Sequence, residues 1–298
     1  MHTWCTLTVR ALLVLVLAGL LWMVFSIPTE VRASYPPPDG EVLIGGDTTF
    51  YQTEINILTY PYERFLEPIY HETYNLNYQR LDWEHYNASG LPPTQETYTL
   101  LVLENDHLRV TVLPEVGGRI YELVYKATGN NEFYRNPVLK PTQWGPPEQG
   151  WWLAAGGIEW GLPVEEHGYE WCEPWQWSVT SSTAGVTVTV RDSTATDRIR
   201  SQVDLFLPTD RAYLSVRPHI ENPTASGLSY KYWLNAMLAP GPSNETAAGY
   251  EFVFNAEQVS IHSTGDDRLP GTWPNTPDDP DDALITWPLY NGVDWSRL

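Results

Sequence analysis

The sequence predicts an all-β protein of antiparallel sheets, arranged as a sandwich or a barrel. Three observations carry this. Short runs of strand-forming residues follow one another from Tyr98 onward, and many alternate, as in Val186-Thr187-Val188-Thr189-Val190 and Leu214-Ser215-Val216-Arg217-Pro218-His219-Ile220. A period of two sends every second side chain to the same face, which suits antiparallel sheets with one buried side. Turns rich in Gly, Pro, Asn, Asp and Thr separate the runs, and outside residues 11–27 no 3.6-residue period stands out. Many short strands without helices imply two packed sheets or a closed one.

The elements follow in order. Residues 11–27 are apolar apart from Ser26, and Pro28 ends the run. Val31-Arg32-Ala33 then sets small neutral residues where a signal peptidase needs them, so residues 1–33 read as a secretory signal peptide. The alternative is a single uncleaved N-terminal membrane anchor, because an apolar run of about 17 residues reaches the short end of a spanning helix. Either way the remainder is exported, secreted or held at the outer face of the membrane. Residues 34–47 form a Pro/Gly-rich linker, and 48–298 are expected as one domain. Residues 48–59 alternate loosely and read as a first strand; 60–98 are aromatic, polar and aperiodic and read as a long covering loop. Further strands are expected over 99–104, 108–113, 120–126, 175–180, 186–192, 200–207, 212–221, 228–238, 250–254 and 258–262. Residues 264–288 hold six aspartates among prolines and read as an acidic solvated loop without calcium-loop spacing. The chain ends at 291–298 directly after an aromatic segment, which reads as a cut inside the domain.

Composition narrows the partners. The formal net charge is −20 over 298 residues. Nucleic acid is therefore excluded as a partner, since phosphate binding needs a basic stripe. The chain carries 14 Trp and 18 Tyr, a supply of flat apolar rings that suits ligand faces or inter-sheet packing. Cys5 lies in the leader, which leaves Cys172 as one thiol with no disulfide partner. No Cys/His spacing suggests a metal, and no Gly-x-Gly-x-x-Gly or phosphate loop suggests a nucleotide cofactor.

Chemistry-bearing residues concentrate in 101–177. Glu159, Glu166 and His167 are the candidate proton-transfer groups: histidine titrates near neutrality, and paired with a carboxylate across a pocket it can move protons on a sugar. Trp151, Trp152, Trp160 and Trp171 offer ring faces to sugar C–H groups, while Arg119, Arg135 and Asn136 offer hydrogen-bond donors to hydroxyls. For each tryptophan the competing role is core filler between sheets; for Arg135 it is a structural ion pair. Gly117-Gly118 and Gly156-Gly157 most simply permit tight turns at positive φ.

The segments Leu103-Glu104-Asn105-Asp106 through Pro114-Glu115-Val116-Gly117-Gly118-Arg119, then Phe133-Tyr134-Arg135-Asn136-Pro137-Val138, then Gly156-Gly157-Ile158-Glu159-Trp160 resemble a bacterial family of unknown function. That family lies in the galactose mutarotase-like (aldose 1-epimerase-like) superfamily, and some members carry helical repeats behind the domain. The resemblance covers about 48–298. It implies an antiparallel β-supersandwich whose concave face binds sugars. Gly156-Gly157-Ile158 followed by His167-Gly168-Tyr169 also resembles the hexose-phosphate epimerase branch, which implies a place for His167 in the sugar site. Two departures stand out. Ala154-Ala155 replaces an arginine before the glycine pair, and Glu170-Trp171 stands where an arginine should follow, which argues against a phosphorylated sugar. The superfamily's second histidine has Trp233 or Asn235 in its place, and its catalytic glutamate would fall beyond Leu298. The expectation is an exported carbohydrate-binding protein with weak or no catalysis. The alternatives are an active aldose 1-epimerase or glycoside-processing enzyme, and an exported protein-interaction scaffold.

Overall fold

The computed structural model describes residues 42–146, 148–164, 167–246, 250–251, 253, 257–261, 283–290 and 292–294. Strands dominate. The chain enters through β1 (Leu43–Gly45) and β2 (Thr48–Thr59), then the hairpin β3 (Leu66–His71) and β4 (Leu76–Leu81). After the helix Trp83–Ser89 come β5 (Thr94–Glu104), β6 (Leu108–Leu113), β7 (Arg119–Tyr125) and the short β8 (Asn130–Asn131). The motif-bearing stretch supplies β9 (Arg135–Thr142), β10 (Trp152–Gly156) and β11 (Ile158–Gly161). A four-strand meander follows: β12 (Gln176–Ser182), β13 (Gly185–Arg191), β14 (Arg200–Pro208) and β15 (Ser215–Glu221). Then come β16 (Trp233–Ala236) and the small pairs β17 (Gln258–Ile261) with β18 (Ala283–Thr286) and β19 (Leu289–Tyr290) with β20 (Val293–Asp294).

The large sheet runs β10-β9-β2-β5-β6-β7-β11-β16, with β1 beside β2 and β8 beside β7. Its pairs are antiparallel except β2 with β9, which meet parallel at Leu58–Val138 and Thr59–Leu139. The four-strand sheet packs against it. Val186, Val188 and Val190 of β13 and Val203, Leu205 and Leu207 of β14 share one core with Leu101, Leu103, Val110, Val112 and Ile120 of the large sheet. The alternation read from Val186 to Val190 thus has its valines inward and its threonines half-buried outside. Each such fully buried side chain contributes about 1.5–3 kcal/mol.

β10 and β11 are nearly one strand, broken at Gly157. Residues 152–154 and Gly156 pair with β9, whereas 158–161 pair with β16, and Ile158 also faces Ile120 of β7. One continuous run therefore belongs to both ends of the strand order. The junction is tight: Gly157 N donates to Tyr134 O at 2.9 Å, Tyr134 N to Met237 O at 2.8 Å, and Met237 N to Gly157 O at 3.0 Å. Gly156 and Gly157 sit at φ +93° and +75°, and a Cβ would lie 2.2 Å from Tyr134 O and 2.0 Å from Ile120 O respectively. No residue with a side chain fits either position without displacing main chain.

The structure departs from the sequence reading in several places. Residues 60–98 are not one loop; they hold the β3–β4 hairpin, the helix and the start of β5. The helix is too short to show a period, but its ends are ordinary. The Asp82 carboxylate accepts from His85 N at 3.0 Å, and Gly90 closes the helix in the left-handed region. β9 to β11 escaped notice because Pro137, Pro141 and the paired glycines interrupt the strand pattern. β15 starts at Ser215 and β16 is confined to Trp233–Ala236, shorter than the expected 212–221 and 228–238. β1 falls inside the stretch expected as linker. The leader 1–33, residues 252 and 254 of the strand expected at 250–254 and residues 264–282 of the acidic stretch lie outside the described residues. Among the described residues no helix is long and apolar enough to cross a membrane.

Candidate functional site

The two glycine-pair motifs form one structure. Gly117 and Gly118 sit at φ +70° and +59°, and a Cβ on Gly117 would meet Trp171 O at 2.5 Å. That closeness lets the 171–175 loop lie on the turn, with Gly117 N donating to Glu173 O at 2.9 Å. The next residue, Arg119, turns inward and is fully buried. Its guanidinium donates to the carbonyls of Val116 (3.0 Å), Gly156 (3.1 Å) and Trp171 (3.1 Å), and to Glu159 Oε2 at 3.2 Å. One arginine thus ties both glycine pairs and the 171–175 loop together.

Glu159 points to the same place from β11. It is 1% exposed and accepts from four side chains. Besides Arg119, the Trp152 indole Nε1 reaches both carboxylate oxygens at 3.1 Å, and Asn235 Nδ2 reaches Oε1 at 2.9 Å from the facing position on β16. The fourth donor is His167 Nδ1, in a short contact with Oε1. Burial by itself pushes the Glu159 carboxyl up. The His167 hydrogen bond, the Arg119 and His167 charges and the Asn235 hydrogen bond outweigh it, so its pKa lies below the ordinary 4.5. An ionised Glu159 accepts the hydrogen on His167 Nδ1, which leaves Nε2 as the ring nitrogen turned away from the carboxylate. Asn235 Nδ2 also lies 3.2 Å from His167 Nδ1. Since that nitrogen's hydrogen is directed at Glu159, the productive bond of the amide is the one to the carboxylate.

The imidazole lies further out than the ion pair it contacts. Its side chain keeps 18% of its surface, against 1% for Glu159 and none for Arg119. It stacks on the Trp152 indole, ring centroids 4.7 Å apart and planes 23° apart. Gly168, at φ +66°, packs its Cα so closely on Leu162 that a Cβ would lie 2.4 Å from Leu162 N. The loop is pinned immediately after the histidine. Among the described residues, His167 Nε2 has no protein partner. The arrangement is a buried carboxylate that orients a histidine, whose free nitrogen can accept or return a proton or hydrogen-bond a hydroxyl.

The other expected residues fall elsewhere. Trp151 and Trp171 pack edge to face at 4.6 Å in the interior, their indole nitrogens donating to Gln79 O and Gln149 Oε1. Trp160 lies in the inter-sheet core and donates to Gly118 O. These three take the core-filling role, and Arg119 is a buried structural tie. Arg135 on β9 is half-exposed and pairs with Glu122 at 2.6 Å, while Asn136 Nδ2 clamps β9 to β10 through Val138 O and Ala154 O. Glu166 lies outside the described residues. Of the ten expected residues, then, Glu159, His167, Trp152 and Arg119 form one cluster. Asn235 joins it unexpectedly; its signal in the sequence was a resemblance that set either Trp233 or Asn235 at the place of a second histidine.

The crystal structure of a TPR-domain containing protein from Parabacteroides distasonis ATCC 8503 is similar, with a TM-score of 0.60 at 21% identity. The match covers 84% of this chain and 38% of that one, and at this identity the likeness is one of fold. The segments that build the Arg119–Glu159–His167 knot lie within a family match over residues 76–282. That match spans more than half of the sequence, and the chain belongs to the family described as a domain of unknown function, DUF5107.

Proposed function

We propose that this chain is an exported carbohydrate-binding protein of the galactose mutarotase-like superfamily, with His167 at its sugar-contacting edge. The observation that carries the reading is the His167–Trp152–Glu159 group. A histidine stacked on an indole and held by a buried carboxylate presents Nε2 at a fixed position as a hydrogen-bonding nitrogen, which suits a sugar hydroxyl. Trp152 is the one expected tryptophan that borders this edge instead of filling the interior. Export rests on the apolar run at 11–27.

A second reading is an active aldose 1-epimerase, favoured by the Glu159–His167 pairing, in which the carboxylate orients the base. Anomer exchange also needs an acid at the ring oxygen. Asn235 holds the place of the second histidine, and an amide does not transfer protons at neutral pH. Binding with weak or no catalysis is therefore the better fit.

Magnetisation-transfer and saturation-transfer NMR on residues 34–298 with a panel of free aldoses and oligosaccharides tests both readings. Saturation transfer to a sugar, without anomer exchange above the buffer rate, is the expected result. Faster exchange would establish the epimerase. Neither signal from a folded sample would overturn both and leave the scaffold alternative.

A further inference from the structure

A cavity of about 780 Å³ whose lining shares no residue with the His167 group lies where the end of β2, the β3–β4 hairpin and the 172–174 loop meet. Its wall carries three tyrosines, Tyr60, Tyr62 and Tyr98. It also carries four carboxylates, Glu63, Glu96, Glu115 and Glu173, against one arginine, Arg64. Several of these polar groups are already engaged, Glu96 among them, which accepts from Thr94 Oγ1 at 2.7 Å. The Tyr98 hydroxyl shares a hydrogen bond with Thr59 Oγ1 at 3.0 Å, and Glu115 accepts from Thr99 N.

Tyr62 is different. It is 2% exposed, its ring packs on Trp151 at 5.5 Å, and its hydroxyl bonds none of the described residues. A phenol hydroxyl that bonds none of the described residues, on the wall of a cavity, is an acceptor and donor left for an occupant. Burial holds it in its protonated form. The ring of Tyr60 meanwhile already attracts a cation: Lys140 Nζ lies 5.5 Å from its centroid.

We infer that this cavity binds a small organic ammonium ion. The tyrosine faces attract a desolvated cation through their ring quadrupoles, the Tyr62 oxygen accepts one N–H, and the surplus of carboxylates supplies the counter-charge. Glu173 gains most from such an occupant. Its carboxyl is pushed up by burial, and further by Glu170 and Glu63, while only a Gln79 hydrogen bond opposes this. An ammonium beside it would relieve that imbalance. A neutral sugar would relieve none of it, so this site is independent of the carbohydrate reading.

Spermidine, titrated calorimetrically into the full chain, is the test, with glucose as the neutral comparison. Saturable binding is expected, weakened about tenfold or more by Glu173→Gln and measurably by Tyr62→Phe. Glu221→Gln, which removes an exposed carboxylate from β15, should leave the affinity unchanged. A chain of net charge −20 also condenses polyamines without a site. Binding that all three variants leave alike would be that condensation and would overturn the proposal, as would the absence of saturable binding. Circular dichroism of each variant separates a lost site from a lost fold. If Glu173→Gln does not fold, Tyr62→Phe alone decides.

Discussion

Glu159 and Asn235 stand directly opposite each other on β11 and β16, and the Asn235 amide donates to the Glu159 carboxylate at 2.9 Å. The strand pair thereby supplies a neutral donor where a charged or protonated group would disturb the His167 contact. Asn235→Asp replaces the donor with a second carboxylate at hydrogen-bond distance. Two like charges so close cannot both ionise cheaply. The variant should lose about 2 kcal/mol at neutral pH and recover part of it on acidification. Chemical denaturation at two pH values measures this; equal loss at both would show that the amide acts only by shape.

His167→Ala removes the partly exposed imidazole that contacts Glu159. Glu159 keeps Arg119, Trp152 and Asn235 as donors, so the loss of stability should be about 1 kcal/mol or less. Sugar saturation transfer, and any anomer exchange, should disappear. A large drop in melting temperature with sugar binding retained would make His167 a structural residue.

The Glu159 carboxyl titrates below its ordinary value in the folded protein. The unfolded chain therefore takes up this proton first as pH falls. The stabilisation is fully present above the ordinary 4.5 and is lost as pH drops from there through the folded value. Glu159→Gln should flatten that acid limb. It should also lose about 3–5 kcal/mol at neutral pH, because it leaves the Arg119 charge buried without a counter-ion. Urea midpoints across acid pH check both parts.

Gly157→Ala puts a methyl 2.0 Å from Ile120 O at φ +75°, whereas Gly90→Ala, at φ +58°, meets nothing within 4 Å. The second change should lose only the left-handed backbone penalty of about 1–2 kcal/mol. The first adds a main-chain clash and should lose clearly more, with damage to the site. Similar losses at the two glycines would mean that the junction at Gly157 is compliant.

Much of the sandwich was legible in the sequence, because strands with one buried face advertise it. Val186 to Val190 and Leu108 to Leu113 needed no more than alternation and turn chemistry. The site was legible as a set of residue types and not as an arrangement. Nothing local distinguishes Trp152, which borders His167, from Trp151, which fills the core, since adjacent strand residues differ only in the face they take. Arg119 read as a donor to sugar hydroxyls and Glu159 as a proton-transfer group, yet pairing across 40 positions buries both. Asn235 could be placed only through the β11–β16 register.

The run 152–161, shared between β9 on one side and β7 and β16 on the other, also bears on the order of assembly. During synthesis the chain makes Arg119 and Glu159 well before β16 emerges. Until Trp233–Ala236 pairs with β11, the carboxylate lacks one of its four donors and the second half of the run has a bare edge. Such late, long-range closure is slow and exposes an unpaired strand in the meantime. The group around Glu159 is thus completed only when β16 joins the sheet.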